Sequence, residues 1–304
     1  MAHPLARPPA RDLGWLAVAV AFISTSGPII AITAAPALAI AFWRCAFGAG
    51  TTAPWVLAKS FDEFRSLTRR EWVLAITAGV FLGAHFATWI PSLRYTSVAS
   101  STALVATQPV WAALIALVLG VSISRRVWIG IVISLLGALV LTGVDFSLEP
   151  RALFGDVLAI IGAMLAAAYV STGERVRQSV STSTMTLIVY SAAAVLLLVL
   201  TLAFGDPLVG FDAQAWFYIV LLTLGAQLLG HTLINKVLAS TSSTITSLAI
   251  LFEMPGATLI AALWLHQVPP LAIVPAVILM FIGLVIVIRE TTAAGAVPTE
   301  TSPI

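Results

Sequence analysis

Two charged residues sit well inside long apolar runs: Arg44 in a run over 37–58 and Glu253 in a run over 243–265. A charge near the bilayer centre costs at least ~2.5–3.5 kcal/mol on insertion scales, so such residues face a cavity or a partner. Glu253 is ten positions into its run, about 15 Å at ~1.5 Å per residue, which is close to mid-depth. In a wet cavity its carboxylate can exchange a proton coupled to solute movement. As a structural group it pairs with Arg44, or accepts from backbone amides freed near Pro255. Arg44 can grip a substrate carboxylate through two parallel hydrogen bonds, or serve as a partner for Glu253 or for helix carbonyls. The residues leave both readings open.

His85 and Trp89 are four apart in a run over 72–93 and share a helix face. Gln227 and His231 repeat that polar face in a run over 215–234. Each histidine can line a cavity or serve as a hydrogen-bonded packing group, and the repetition favours a pathway between the two runs. Gln108 stands beside Pro109 in the run 99–119 and joins the candidate set. Trp43, Trp111, Tyr169 and Tyr190 are candidates for an aromatic lining, with packing as the default; Trp43 and Trp111 are kept as site candidates. The four histidines, His3, His85, His231 and His266, have no metal-ligand spacing. There is no Gly-rich phosphate loop ending in Lys and Ser/Thr. The reading is therefore not an enzyme, with no cofactor and no metal, and any energy source is an ion or solute gradient.

These residues must be positioned by helices in a bilayer. Of the 304 residues, 60% are hydrophobic and 9% charged, against about 45–50% and about 25% in soluble domains. The predicted spans are 13–33, 37–58, 72–93, 99–119, 126–143, 154–171, 184–204, 215–234, 243–265 and 270–288, each near the ~20 residues needed to cross hydrocarbon. Three of them carry breaks: Ser24-Thr25-Ser26-Gly27-Pro28, Thr107-Gln108-Pro109, and Leu251-Phe252-Glu253-Met254-Pro255. Freed carbonyls beside Pro28, Pro109 and Pro255 must be met by hydroxyls, neighbours or water. With the N-terminus inside, twelve Lys and Arg residues fall on inner segments and two, Arg94 and Arg151, on outer ones. That bias places both termini in the cytoplasm. The single cysteine, Cys45, excludes an internal disulfide. The net charge of +2 is too small to argue for nucleic acid.

The chain repeats itself. Gly83-Ala84-His85 matches Gly225-Ala226-Gln227 at a spacing of 142, and Pro109/Pro255 and Gly137/Gly283 match at 146. Five spans per half is odd, so the second half enters from the opposite side. That is an inverted repeat, with the solute site near the midplane between the halves. The predicted organisation is all-α and membrane-integral: a cytoplasmic segment 1–12, repeats over 13–143 and 154–288 around a central cavity, and a disordered cytoplasmic tail 289–304.

Ala41-Phe42-Trp43-Arg44, Leu93-Arg94-Tyr95-Thr96-Ser97, Gln108-Pro109-Val110 and Glu253-Met254-Pro255, in this order across nearly the whole chain, resemble the EamA-type transporters of the drug/metabolite transporter superfamily. The pattern departs from that family at Met254-Pro255-Gly256, where a carboxylate more often directly precedes proline, and at 267–270, where a Gly-Glu pair is common. The resemblance implies a ten-helix basket with a central cavity and export of amino acids, metabolites or drugs, as in the superfamily's ten-helix amino acid exporters. The expectation is a secondary-active exporter or exchanger of small metabolites, amino acids leading, in the plasma or inner membrane. Its partners are a small-molecule solute, protons as a candidate coupling ion, and the bilayer. Efflux of a drug or other metabolite is the nearest alternative. An intramembrane enzyme or lipid-modifying protein needs a clustered catalytic set that the chain lacks, and a non-transporting partner protein is disfavoured by polar groups at mid-depth in both halves. Monomer and homodimer both remain open.

Overall fold

The structure, a computed structural model, describes residues 8–96, 98–142, 149–264 and 271–294. Among them every regular element is helical: α1 (Ala10–Ile23), α2 (Ser26–Ile32), α3 (Ala37–Lys59), α4 (Phe61–Ser66), α5 (Arg69–Ser92), α6 (Val98–Val105), α7 (Gln108–Val118), α8 (Arg125–Thr142), α9 (Pro150–Val176), α10 (Thr182–Ala203), α11 (Ala213–Leu222), a π-helical segment Thr223–His231, α12 (Thr232–Val237), α13 (Ser243–Ile250), α14 (Glu253–Trp264) and α15 (Ile273–Ala294). Nine helical segments among the described residues are long and apolar enough to cross a membrane. α3, at 23 residues, has the length but also carries Arg44, Pro54 and Lys59, which dilute its apolar character.

The expected breaks fall where their sequences place them. α1 stops at Ile23 and α2 starts at Ser26; α6 stops at Val105 and α7 starts at Gln108; α13 stops at Ile250 and α14 starts at Glu253. Hydroxyls meet carbonyls around them: Ser24 Oγ donates to Val20 O and Thr25 Oγ1 to Phe22 O, each at 2.7 Å. Thr107 Oγ1 donates to Leu104 O at 2.6 Å and Thr258 Oγ1 to Met254 O at 2.9 Å. α7 ends at Val118 and is followed, after Leu119, by Gly120, whose φ of 84° lies in the left-handed region that stops a helix.

Three features differ from expectation. α4 is an additional helix between the second and third predicted spans. Thr223–His231 is a π-helix where a continuous α-helix was predicted. α15 runs to Ala294, past the predicted end at 288, so the first part of the segment read as a disordered tail is helical. Arg7, His3, Ser97, His266, the segment 267–270 and residues 295–304 lie outside the described residues.

Small residues let the helices approach closely. α8 and α15 meet at Gly130 against the Gly283 carbonyl and Gly137 against the Ala276 carbonyl; a Cβ added at either α8 glycine would lie 2.7 Å from that oxygen. Ser134 Oγ donates to Met280 O between them, at 3.3 Å. Gly79 and Gly83 of α5, one turn apart, receive Val189, Ala192 and Ala193 of α10. The buried core falls into two clusters, one mainly on α1, α3, α5, α9, α10 and the π-helical stretch, the other on α7, α8, α13 and α15.

One end of the bundle is tied by carboxylates that accept from serine-rich segments at or just before helix starts. Glu63 of α4 accepts from Ser181 N at 2.6 Å, Ser181 Oγ at 2.5 Å and Thr184 Oγ1 at 2.6 Å, clamping the start of α10. Glu71 accepts from Ser179 Oγ at 2.6 Å, Glu174 from Ser243 N at 2.8 Å, and Asp12 from Ser240 Oγ at 2.6 Å. Glu63 lies outside the membrane-spanning helices. Burial pushes its carboxyl up, but the bonds from Ser181 and Thr184 and the nearby Arg177 charge bring it below the ordinary carboxylate value.

Candidate functional site

The three helix breaks converge. The residues on either side of each break, Ile23 and Ser26, Val105 and Gln108, Ile250 and Glu253, all line one small cavity of about 50 Å³. His85, Phe86, Trp89, Tyr169 and His231 complete much of its wall. α14 approaches the break in α1 so closely that a Cβ at Gly256 would overlap the Ser24 hydroxyl. Broken helices leave unpaired backbone groups, tolerated at membrane depth only where protein or a water-filled cavity receives them.

Arg44, on α3, is completely buried beside this cavity. Its Nε donates to Gln227 Oε1 at 2.8 Å, its Nη1 to Ser26 Oγ at 3.3 Å, and its guanidinium carbon lies 4.2 Å from the centre of the Phe86 ring. Its Nη2 has no hydrogen-bond partner among the described residues. Gln227 lies in the π-helical segment and its carbonyl is held from α10 and α12: Tyr190 Oη donates to Gln227 O at 2.7 Å, and Thr232 Oγ1 reaches the same oxygen at 3.4 Å. A π-turn adds one residue to the helical turn, and such bulges are frequent at functional sites. Arg44 and Glu253 do not form an ion pair, because Arg126–Glu290 is the one within 4.0 Å among the described residues. The Arg44–Glu253 pairing, one of the two readings of the sequence, is therefore absent in this conformation; Glu253 lines the cavity, and Arg44 reaches it through the lining residue Ser26.

His85 Nδ1 lies 2.9 Å from Gly162 O. A carbonyl only accepts, so Nδ1 carries the hydrogen and a neutral ring keeps Nε2 as an acceptor. The ring stacks on Trp89 at 5.7 Å and 5°. The Trp89 Nε1 and His231 Nδ1 atoms are buried with no partner among the described residues. Gln108 Nε2 donates to Ser247 Oγ at 3.1 Å, joining the break before α7 to α13.

Seven of the nine candidate site residues thus gather here: Arg44, His85, Trp89, Gln108, Gln227, His231 and Glu253. Trp43 and Trp111 do not. Trp43 Nε1 donates to Leu208 O at 2.7 Å and its ring packs edge-on against Trp216, away from the cavity. Trp111 Nε1 donates to Thr107 Oγ1 at 3.1 Å, one turn back on its own helix. Both follow the ordinary packing role of membrane tryptophans. Sequence reasoning missed Phe86, which stacks on Arg44, and Ser26 as the Arg44 partner. Phe86 is next to His85 in sequence and gives no signal of its own. Asp156, two turns into α9, is 8% exposed. Among the described residues no cluster of His, Cys, Asp and Glu is arranged to hold a metal ion.

Comparison with known proteins agrees with this architecture. No curated protein matches the chain. Among matching solved structures is one titled only "Crystal structure of protein", 17% identical, with a TM-score of 0.78, covering 94% of this chain and 99% of that one; at that identity it shows the fold. The model of the EamA-like transporter family matches residues 12–143 and 153–289, two stretches that together span most of the sequence. The chain belongs to the EamA-like transporter family, and it is a multi-pass membrane transporter.

Proposed function

We propose that the chain is a secondary-active exporter or exchanger of small zwitterionic metabolites, amino acids first among them, working by alternating access around the Arg44–Glu253 cavity. What supports this is the convergence of three helix breaks on one small cavity lined by Glu253, Trp89 and His231, with the Arg44 guanidinium buried behind its lining residue Ser26 and with Arg44 Nη2, Trp89 Nε1 and His231 Nδ1 each without a partner among the described residues. An orphaned buried polar group costs about 1–3 kcal/mol. Arg44 Nη2, Trp89 Nε1 and His231 Nδ1 all bear that cost at one place, which makes sense where a solute completes the bonds in part of a cycle. A free carboxylate would meet Arg44 Nη2, and an ammonium would meet Glu253. The volume of about 50 Å³ is far below the ~300–1,000 Å³ of pockets that hold drug-sized ligands, so this conformation is a contracted one that must widen to load.

The two-fold inverted plan, with ten spans, repeats over 13–143 and 154–288 and both termini cytoplasmic, is part of the same proposal. Its support is pairwise. The α5–α9 contact has its counterpart in that of the π-helical segment with α1, and the α5–α10 contact in that of the same segment with α3. At the α8–α15 seam, Gly130 meets Gly283 and Gly137 meets Ala276, the exchange a local two-fold produces when positions 146 apart are equivalent. Rocking of the halves about that seam would open the cavity to either side.

The test is counterflow in liposomes loaded with a panel of amino acids, hydrophilic metabolites and cationic drugs. Saturable exchange of zwitterions is expected. Exchange of cationic drugs alone, unaffected by Arg44→Gln, would assign the cavity to drug efflux instead.

A further inference from the structure

A second feature lies outside the central cavity, on the face between α5 and α10. An apolar groove of about 620 Å³ runs there, with Ile76 and Val80 on one wall, Val195 and Val199 on the other, and Phe64 and Trp72 at one end. The wall residues are exposed, Val195 at 63% and Val199 at 58%. Its origin is the glycine seam. Gly79 brings the two helices together so tightly that a Cβ there would sit 2.7 Å from Ala192 Cβ, and the larger residues flanking the seam stand up as two ridges.

The groove has the length of one leaflet. From Trp72 to Val80 is about 12 Å, and from Leu187 to Val199 about 18 Å, at ~1.5 Å per residue. That is about half of the ~30 Å hydrocarbon. A partner helix would need a seam across the whole thickness, whereas an acyl chain from one monolayer needs this half.

The closed end carries positive charge. Phe64 and Trp72 meet edge-on at 5.0 Å and form an aromatic ledge. Arg65 follows Phe64, is exposed, and lies over the Phe61 ring at 5.6 Å. Arg69 is exposed three positions before Trp72, on the same face of α5. Neither is in an ion pair, since Arg126–Glu290 is the one within 4.0 Å among the described residues. Nearby carboxylates are engaged elsewhere: Glu63 accepts from Ser181 and Thr184, and Glu71 from Thr68 and Ser179. Asp62 is also exposed there, beside Arg65, Arg69 and Arg70, so cations outnumber the carboxylates left unengaged.

We infer that this groove holds a single anionic glycerophospholipid, its phosphate on Arg65 and Arg69 and one acyl chain between α5 and α10. Basic residues at the mouth of an intramembrane groove select anionic headgroups, and the apolar walls hold the chain against exchange. Because Glu63 fixes α4 to the start of α10, the headgroup site and the groove move as one piece.

The test uses the full chain in detergent, with binding followed by native mass spectrometry for phosphatidylglycerol, phosphatidylcholine of the same acyl chains, and soluble glycerol phosphate. One phosphatidylglycerol is expected to bind about 10-fold tighter than phosphatidylcholine, with no retained glycerol phosphate. Arg65→Gln with Arg69→Gln should reduce phosphatidylglycerol to the phosphatidylcholine level at unchanged melting temperature. Ser191→Phe, which fills the groove, should displace both lipids. Equal affinity for the two lipids, retention of phosphatidylglycerol by folded Ser191→Phe, or ready disulfide dimerisation of Val195→Cys would each overturn the inference; the last would assign the face to a second copy.

Discussion

Arg44 shows how one side chain can be legible in its presence and illegible in its partners. A guanidinium in hydrocarbon is costly enough to demand a cavity or a partner, and that alone marks it in the sequence. Its partners come from Gln227, Ser26 and Phe86, with Gln227 183 positions away, and no local pattern links them. Arg44→Lys keeps the charge and loses the fork that serves Gln227 and Ser26 together. We predict a fall of about 10- to 100-fold in counterflow, from the loss of one charged hydrogen bond at about 1.5–3 kcal/mol, in protein that still folds cooperatively but with a lowered melting temperature. Glu253→Gln keeps the shape and removes the charge. If Glu253 carries the coupled proton, exchange persists in the variant but a pH gradient no longer drives net uptake. A full pH response in Glu253→Gln would leave the carboxylate a purely structural part. Trp43 and Trp111 are the instructive errors at this scale. Residue type marks a tryptophan as able to line a cavity, but only the helix rotation decides, and their indoles turn to Leu208 and Thr107 instead.

Among the elements, the breaks were the most readable part of the chain. Proline removes a donor and clashes one turn back, so Pro28, Pro109 and Pro255 announce broken helices without reference to any neighbour. The π-helical segment announced nothing, because its extra residue per turn is held by tertiary contacts: Gln227 O to Tyr190 and Thr232, and Gln227 Oε1 to Arg44. Gly137 and Gly283 were readable as repeat marks 146 apart, not as the seam on which α8 and α15 meet. Gly130→Leu should destabilise the α8–α15 seam by about 1–3 kcal/mol through overpacking, measured as a lower melting temperature in detergent. The same change at Gly14, where an added Cβ meets nothing within 4 Å, should be near neutral. The Glu63 clamp gives a pH-dependent prediction. Its carboxyl is held below the ordinary value. Its contribution is therefore complete above the unfolded value of about 4.3 and is lost as pH falls through the lower folded value. Between about pH 5 and pH 3 the wild type should lose more melting temperature than Glu63→Gln. Parallel loss in both would remove Glu63 from the acid response.

For the whole molecule, composition fixes the bilayer as the solvent, and the bilayer then allows few architectures. Nine strongly apolar helical segments among the described residues and a charged α3 follow from that constraint. The meeting of α1, α7 and α14 at one small space depends on how the helices cross, and it becomes visible only with the fold. In the proposed cycle this space is wet and solute-accessible. Val105 lines it beside the first-half break, while Val199 faces outward at 58% exposure. In a Cys45→Ala background, Val105→Cys should react with a membrane-impermeant thiol reagent in liposomes, and a solute that supports counterflow should slow that reaction. Val199→Cys should stay unreactive toward the same reagent. An unreactive Val105→Cys in protein that still exchanges solute, or labelling indifferent to saturating solute, would contradict a transport path through the Arg44–Glu253 cavity.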